Sequence, residues 1–393
     1  MMNPLRIHMQ RVISTLKEYQ LFLLIFMLFL PNYLMYPALI VGGVFIFYEL
    51  IKYRDVKWSF IWLLVVYVLI VAWLNNNVLG IVAGLFLLYL IAYVAAIKRR
   101  MTPRNYMKLQ YYIVWSSLFN FFFIFIRFRP QWFEDILAAI MKFLNIGHLP
   151  AWQLPYYGQG YFRAYSTFDN PNFYAFILLI VLLVCFNQLQ FQLTFKNYKL
   201  FSFYAGAFII NTYALLLTGT RSILFALAIG LVVIILVQRK WLQLKILILL
   251  GALAGIFILT NPSVFPRFMQ VAEHSSIRFN IWENALHQIN KEPLWGKGLL
   301  TYAFLFDNTH AHNIYIESFL SLGVVGTMLL VAFVMERFYD IYKNAYYLDY
   351  PLALSLMAAF FLYGIFDVPI YYFQTSLLFV AVFCIPNRNN STS

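Results

Sequence analysis

Arg163, Arg221, Arg278 and His312 stand out in this chain because each lies beside or between long apolar runs, away from the lysine- and arginine-rich segments. A guanidinium binds phosphate oxygens through forked, charge-assisted hydrogen bonds and stays ionised at every relevant pH. An imidazole titrates near neutrality and can take a proton from a hydroxyl. Together these residue types suit a pyrophosphate site at which a hydroxyl is activated, as in glycosyl transfer from a lipid pyrophosphate. Other chemistries lack their residues. There is no G-x-x-x-x-G-K-[ST] loop, no H-E-x-x-H, no Cys/His metal spacing and no tight pair of carboxylates in the same segments, so neither a metal nor a cofactor is expected. Cys185 and Cys384 lie inside apolar runs and suggest neither a disulfide framework nor a thiolate site.

The local setting of each candidate decides what it can reach. His312 belongs to HAHNIYIESFLSLGVVG (310–326), a polar cluster that runs straight into an apolar stretch. Counted from His312 at helical spacing, positions 316, 319, 323 and 326 share a face, which puts Gly323 and Gly326 beneath the histidine as helix-contact positions. His312 then faces a bundle interior near one surface, where an ionisable group marks a functional site, or else it caps a helix at the interface. His310, two residues earlier, points elsewhere. Arg221 follows TGT (218–220) at a junction of two apolar runs, with Thr218 and Thr220 flanking the turn, and reads either as a snorkelling anchor or as an anion ligand.

Arg278 and Trp282 lie in a stretch, 276–290, where Ile277, Ile281, Ala285 and Ile289 recur every four residues. This predicts an amphipathic interfacial helix, with Trp282 in the headgroup layer holding Arg278 toward anionic lipid. A surface helix with a solvated arginine is the alternative. Pro293 ends the helix, and Gly296 and Gly298 permit a tight return. Arg163 precedes DNPN (169–172), in which Asp169 or Asn170 caps a following helix.

The elements that must position these residues follow from composition. Of 393 residues, 63% are hydrophobic and 11% charged, against about 45–50% and about 25% in soluble domains. Apolar runs long enough to span a bilayer recur at roughly 19–33, 35–51, 58–74, 78–96, 110–127, 172–188, 199–217, 222–238, 244–260, 313–334, 350–364 and 369–385. The expected fold is all-α: one membrane domain over 1–393, with twelve transmembrane helices. The first two runs are separated at PNYLMYP (31–37), by a turn or by a kink. With both termini cytoplasmic, most of the 28 lysines and arginines fall in inner segments, as the positive-inside rule requires. The net charge of +13 therefore needs no nucleic acid to explain it. The first run, which lacks a small-residue cleavage site, reads as a retained span. Two long extracytoplasmic loops remain, at about 128–171 and 261–312, and they hold Arg163, Arg278 and His312, while Arg221 lies at a span junction on the same side. Trp132, Trp152, Tyr156, Tyr157 and Tyr161 in the first could stack on sugar rings or anchor at the interface.

The chain resembles the superfamily of O-antigen ligases and Wzy-type polysaccharide polymerases. The resemblance rests on RAYSTFDNPNFYA (163–175), TGTRS (218–222), the R-x3-W-x2-A run at 278–285 continuing to PLWGKG (293–298), and AHNIYIESFLSLGVVG (311–326), in that order. Members carry His-Asn ahead of a span with paired glycines, matching His312, Asn313, Gly323 and Gly326. They often have glycine where this chain has Ser166, and serine where it has Thr220. The resemblance implies a metal-independent, inverting transfer in the bacterial cytoplasmic membrane, from a saccharide carried on undecaprenyl pyrophosphate. By that implication His312 is the general base, Arg221 and Arg278 hold the donor pyrophosphate, and Arg163 is a further phosphate or sugar contact. Asn313, Thr220 and Trp282 support them. The partners are then the lipid-linked donor, a glycan acceptor and membrane lipid, with a chain-length regulator and a flippase of the same pathway.

Residue usage rich in Phe, Tyr, Lys and Asn hints at AT-rich codons and a source without an outer membrane, which favours a polymerase joining repeat units over a ligase delivering a finished glycan. A flippase or other transporter is the competing class. It should show mid-membrane ionisable groups and an internal repeat, whereas the candidates here cluster at one edge. A structural scaffold is disfavoured by the two loops.

Overall fold

The computed structural model describes residues 19–53, 59–128, 139, 156–158, 161–261, 271–306, 310–344 and 349–386. The fold is helical: α1 (Tyr19–Phe29), α2 (Asn32–Tyr53), α3 (Phe60–Leu74), α4 (Val78–Arg99), α5 (Pro103–Phe128), α6 (Pro171–Thr194), α7 (Tyr198–Leu217), α8 (Arg221–Val237), α9 (Trp241–Thr260), α10 (Val271–Lys291), α11 (Thr301–Phe306), α12 (Ile314–Asn344), α13 (Tyr350–Tyr363) and α14 (Phe373–Val382). One departure from all-α is an antiparallel hairpin of β1 (Tyr156–Gly158) and β2 (Tyr161–Arg163), with Tyr156 opposite Arg163. Trp132 and Trp152 lie outside the described residues.

Among the described residues five helices, α2, α4, α6, α7 and α12, are long and apolar enough to cross a membrane, and α1, α3, α8, α13, α14 and the 241–257 part of α9 are apolar but shorter. The chain breaks at Leu30–Pro31, where Leu30 is extended, and Pro37 is carried inside α2. Large apolar side chains such as Ile40, Val44, Leu242 and Leu259 are exposed. An apolar exterior around a packed interior is the arrangement a lipid solvent demands.

The helix connections explain how a mostly apolar chain keeps register. Five consecutive pairs among the described residues are joined by three residues, and in four of them (α3–α4, α6–α7, α7–α8, α8–α9) the middle one, Asn76, Lys196, Gly219 or Arg239, has a positive φ of 53–62°. In three of them the next amide closes back five residues, as in Asn77 N to Ala72 O at 2.9 Å, which satisfies the carbonyls at the helix end. Asn77, Asn170 and Asn197 then cap the following helix with their side chains.

Helix α6 is the buried axis, packed on α5, α7, α8, α13 and α14. At its far end Gln188 links to Gln110, Gln192 links to Gln188, and Lys240 donates to Gln190, so polar bonds tie helices where burial alone gives no direction. Helix α12 is broken at Gly323 (φ 61°, ψ −170°), and the PLWGKG return packs into the break. Val324 and Val325 donate to the Pro293 and Leu294 carbonyls, and Gly298 donates to the Ser321 carbonyl, at 2.9–3.1 Å. A Cβ on Gly323 would collide with the Leu294 carbonyl, and one on Gly326 would collide with the Tyr67 ring. These glycines serve close approach of the PLWGKG backbone and of Tyr67, not contacts beneath His312.

Candidate functional site

The starts of α6, α8 and α12 and the end of α13 converge at one end of the bundle. There the Asp367 carboxylate lies buried within a ring of donors. Oδ2 accepts from Asn172 Nδ2 at 2.9 Å and from the Tyr363 hydroxyl at 3.3 Å, and Oδ1 accepts from the Val368 amide at 2.9 Å. His310 Nε2 stands 3.4 Å and His312 Nδ1 3.5 Å from Oδ1. The His312 amide donates to His310 Nδ1 at 3.1 Å, so the neutral His310 ring carries its proton on Nε2, toward Asp367. His310 is thus inside the cluster, its ring 4.3 Å from that of His312, contrary to the expectation that it points elsewhere.

That expectation assumed that helical phase extends to His312, and the chain departs from it. Asn313 caps α12, accepting from Tyr315 N at 2.9 Å and Ile316 N at 3.1 Å, so the helix starts after the histidine. His312 itself has φ 51°, a left-handed conformation that a residue with a side chain adopts only when its surroundings enforce it. Asn313 Nδ2 also reaches the Ile365 carbonyl at 3.1 Å, and Ile314 N the Gly364 carbonyl at 2.7 Å, which pins the histidine segment to the turn that carries Asp367.

The electrostatics separate the three titratable groups. Burial pushes His310 down to about 4, helped by the charges of His312 and Arg278 and opposed by Asp367, so it is neutral near pH 7. Burial would raise the Asp367 carboxyl, but the facing His312 ring, the charge of His310 and the Val368 amide outweigh it and hold the group well below the usual carboxylate range. His312 is 27% exposed, with Nδ1 buried toward Asp367 and no formed hydrogen bond at Nδ1 among the described residues. At 3.5 Å the approach to Asp367 is longer than a closed bond, a common state of a catalytic pair without substrate. If Nδ1 carries the proton, Nε2 offers its lone pair.

Arg221 opens α8 and Arg278 lies on α10, both half-buried and close enough for their positive charges to oppose one another. The charge of Arg278 is also felt at His310 and Tyr363. Two like charges held together beside a histidine–carboxylate pair form a site suited to an anion. Arg163 has a different role from the one its type suggested. It is buried, and donates from Nε to the Thr218 carbonyl at 2.8 Å and from Nη2 to Asn172 Oδ1 at 2.8 Å and Thr220 Oγ1 at 3.0 Å. It therefore ties the hairpin to the α7–α8 turn and to the residue that holds Asp367. Trp282 also departs from expectation: its Nε1 donates to the Ala311 carbonyl at 3.0 Å, so the ring is docked on the histidine segment. Of the four-residue stripe on α10, Ile281 and Ala285 are buried and Ile277 is exposed.

His310 Nε2, His312 Nδ1 and Asp367 offer three atoms within 4.8 Å of one another that could hold a metal ion. The donor bond from the His312 amide argues against this use, because it leaves a proton, not a lone pair, on His310 Nε2. Asp367 is the member of this cluster that residue types and spacing do not single out. Its signal is a lone acid between the last two apolar runs, in a chain with 15 acidic residues.

These features define a multi-helix membrane protein with a histidine–carboxylate pair and two cations at one end of its bundle. Residues 206–331 match the family model described as O-Antigen ligase, and the match supports membership in the superfamily of O-antigen ligases and Wzy-type polymerases. The matched segment holds Thr220, Arg221, Arg278, Trp282, His312, Gly323 and Gly326, and Arg163, Asn172 and Asp367 lie outside it. No curated protein matches the chain significantly. Ser166, where members often carry glycine, has φ 50°, and its hydroxyl donates to the Asn120 carbonyl at 2.6 Å.

Proposed function

We propose that this protein is a polysaccharide polymerase of the bacterial cytoplasmic membrane, joining undecaprenyl-pyrophosphate-linked oligosaccharide repeat units on the extracytoplasmic face, with twelve spans and cytoplasmic termini. The observation that carries the reading is the meeting of an Asp367-backed His312 with the like-charged pair Arg221 and Arg278. Charge along the bundle supports the orientation. The basic ends of α4 (Lys98, Arg99), α8 (with Arg239 and Lys240 after it) and α12 (Lys343) are the helix ends away from this site.

In the proposed step an acceptor hydroxyl gives its proton to His312 Nε2 while its oxygen bonds to the anomeric carbon of the donor. The bond from that carbon to the pyrophosphate oxygen breaks, the electron pair leaves with the lipid pyrophosphate, and the anomeric configuration inverts. Arg221 and Arg278 offset the charge that builds on the leaving group, and preorganised charge acts most strongly where water is excluded. With two guanidiniums in that role the step needs no metal. Asp367 holds the imidazole with Nδ1 protonated and stabilises the imidazolium that forms. His310, neutral, faces Asp367 with its Nε2 and takes no proton from substrate.

The test is His312→Ala in a null background at equal membrane expression, with polysaccharide and lipid-linked material resolved by size. Loss of long polymer with accumulation of single lipid-linked repeat units is the expected result. Full-length chains building up on the carrier identify a ligase instead, and normal polymer overturns the assignment of the base.

A further inference from the structure

One buried acid next to the site has no part in the chemistry above. Glu317 is 1% exposed. Its Oε2 accepts from the Ala311 amide at 2.7 Å, while Ser321 Oγ at 3.1 Å and the Tyr371 hydroxyl at 3.4 Å donate to Oε1. Ala311 stands between the two histidines and is itself fully buried. Its carbonyl accepts from Trp282 Nε1 at 3.0 Å. The peptide before Ala311 is thus held by Glu317 from α12, and the peptide after it by Trp282 from α10. That second peptide is the one that enters His312, and its own amide is bonded to His310.

We propose that Glu317 and Trp282 are positioning residues which form a two-sided clamp on Ala311, fixing His312 in its left-handed conformation and setting Arg278 in register with it. The inference rests on reading His312 as the base. The geometry supports it in three ways. A lone buried carboxylate inside an apolar bundle is costly unless bonded, and three donors, one of them the backbone between the histidines, meet this one. A left-handed φ at a histidine needs outside enforcement, and the clamp acts on the adjoining peptide. Trp282 lies one turn after Arg278 on α10, so its bond to Ala311 fixes where along the site that guanidinium falls. On this reading, base and donor-binding cation are held as a single unit.

Turnover of the lipid-linked donor by the full-length protein in proteoliposomes tests this. Glu317→Ala is expected to lower kcat by about 10–100-fold with donor KM changed less than about twofold. Glu317→Gln should recover to within about fivefold of wild type, because an amide oxygen can accept the same Ala311 N–H. Trp282→Phe keeps the ring and loses the donor, and should lower kcat and raise donor KM together. Each change is then repeated in His312→Ala, on its residual turnover. Positioning residues that act through His312 lose their effect on kcat there, to within about twofold. An undiminished kcat loss in that background, or a Gln variant as poor as Ala at equal folded protein, overturns the clamp and leaves only a stabilising role. Full activity of His312→Ala alone overturns the base, and is distinguishable because it precedes any result on Glu317.

Discussion

At one end of the bundle Glu49 on α2 accepts from Arg100 at 2.9 Å and pairs with Arg99 at 3.3 Å, while Gln20 takes a further Arg100 donor at 2.9 Å. At the other end Arg221 and Arg278 oppose each other's charge, and the carboxylate nearby, Asp367, is committed to Asn172, Tyr363, Val368 and the histidines. Both ends bring arginines and a carboxylate together, and they use them in opposite ways. The first is a carboxylate shared by two arginines, which fastens α2 to the end of α4. At the second, Asp367 faces the histidines while two guanidiniums oppose each other's charge in one locale, which suits an incoming anion. Residue type alone does not mark function; what marks it is where the counter-charge goes.

The largest effect should come from breaking the carboxylate that makes the second end different. Asp367→Ala removes the acceptor facing His312 Nδ1 and lets the ring hold its proton on Nε2, where it cannot accept one. The expected loss in kcat is about 10²–10⁴-fold, with donor KM little changed. Single-turnover assays on reconstituted protein check this, and a variant within about threefold of wild type would remove Asp367 from the mechanism.

How far the sequence reveals this arrangement depends on the kind of signal. The apolar runs were legible because a lipid solvent demands them, and a helix overlaps every expected run. Arg221, Arg278 and His312 were legible by type and by their distance from the basic segments. What was hidden depends on contacts between distant segments. Asp367 is a single acid, brought to His312 by the bonds of Asn313 and Ile314 to the turn after α13. His310 was misplaced because helical phase was carried past the Asn313 cap, and the left-handed φ of His312 turns both rings toward one oxygen. Arg163 looked like a ligand for want of knowing that the Thr218 carbonyl, Asn172 and Thr220 surround it. The break at Gly323 was equally hidden, since a glycine pair in an apolar run reads first as a helix contact.

Removing one arginine from each end sharpens the comparison. Arg278→Ala should raise donor KM by about 10–100-fold, the effect expected for one charge-assisted phosphate contact, with the protein otherwise intact. Arg100→Ala should leave donor KM unchanged and lower the thermal midpoint slightly, since partly exposed ion pairs contribute about 1 kcal/mol. Measured side by side in one detergent, equal effects on KM would erase the distinction between the two ends.

A pH effect isolates His310. Its folded value of about 4 lies below the unfolded value of about 6.5. Between those values the unfolded chain binds a proton that the folded chain does not, so stability is full above about pH 6.5 and falls as pH drops toward 4. Between pH 7.5 and 5 this amounts to about 2 kcal/mol, and Asp367, depressed in the fold, adds a loss only below about pH 4. His310→Gln keeps both bonds in principle, an amide N–H toward Asp367 and an oxygen for the His312 amide, but cannot titrate. Burial raises Asp349 to about 7 and so works in the opposite direction over the same window in both proteins, and the thermal midpoint of wild type should therefore fall relative to that of the Gln variant from pH 7.5 to 5. Parallel slopes would mean that the acid sensitivity arises elsewhere and that His310 is not held neutral by burial beside Asp367.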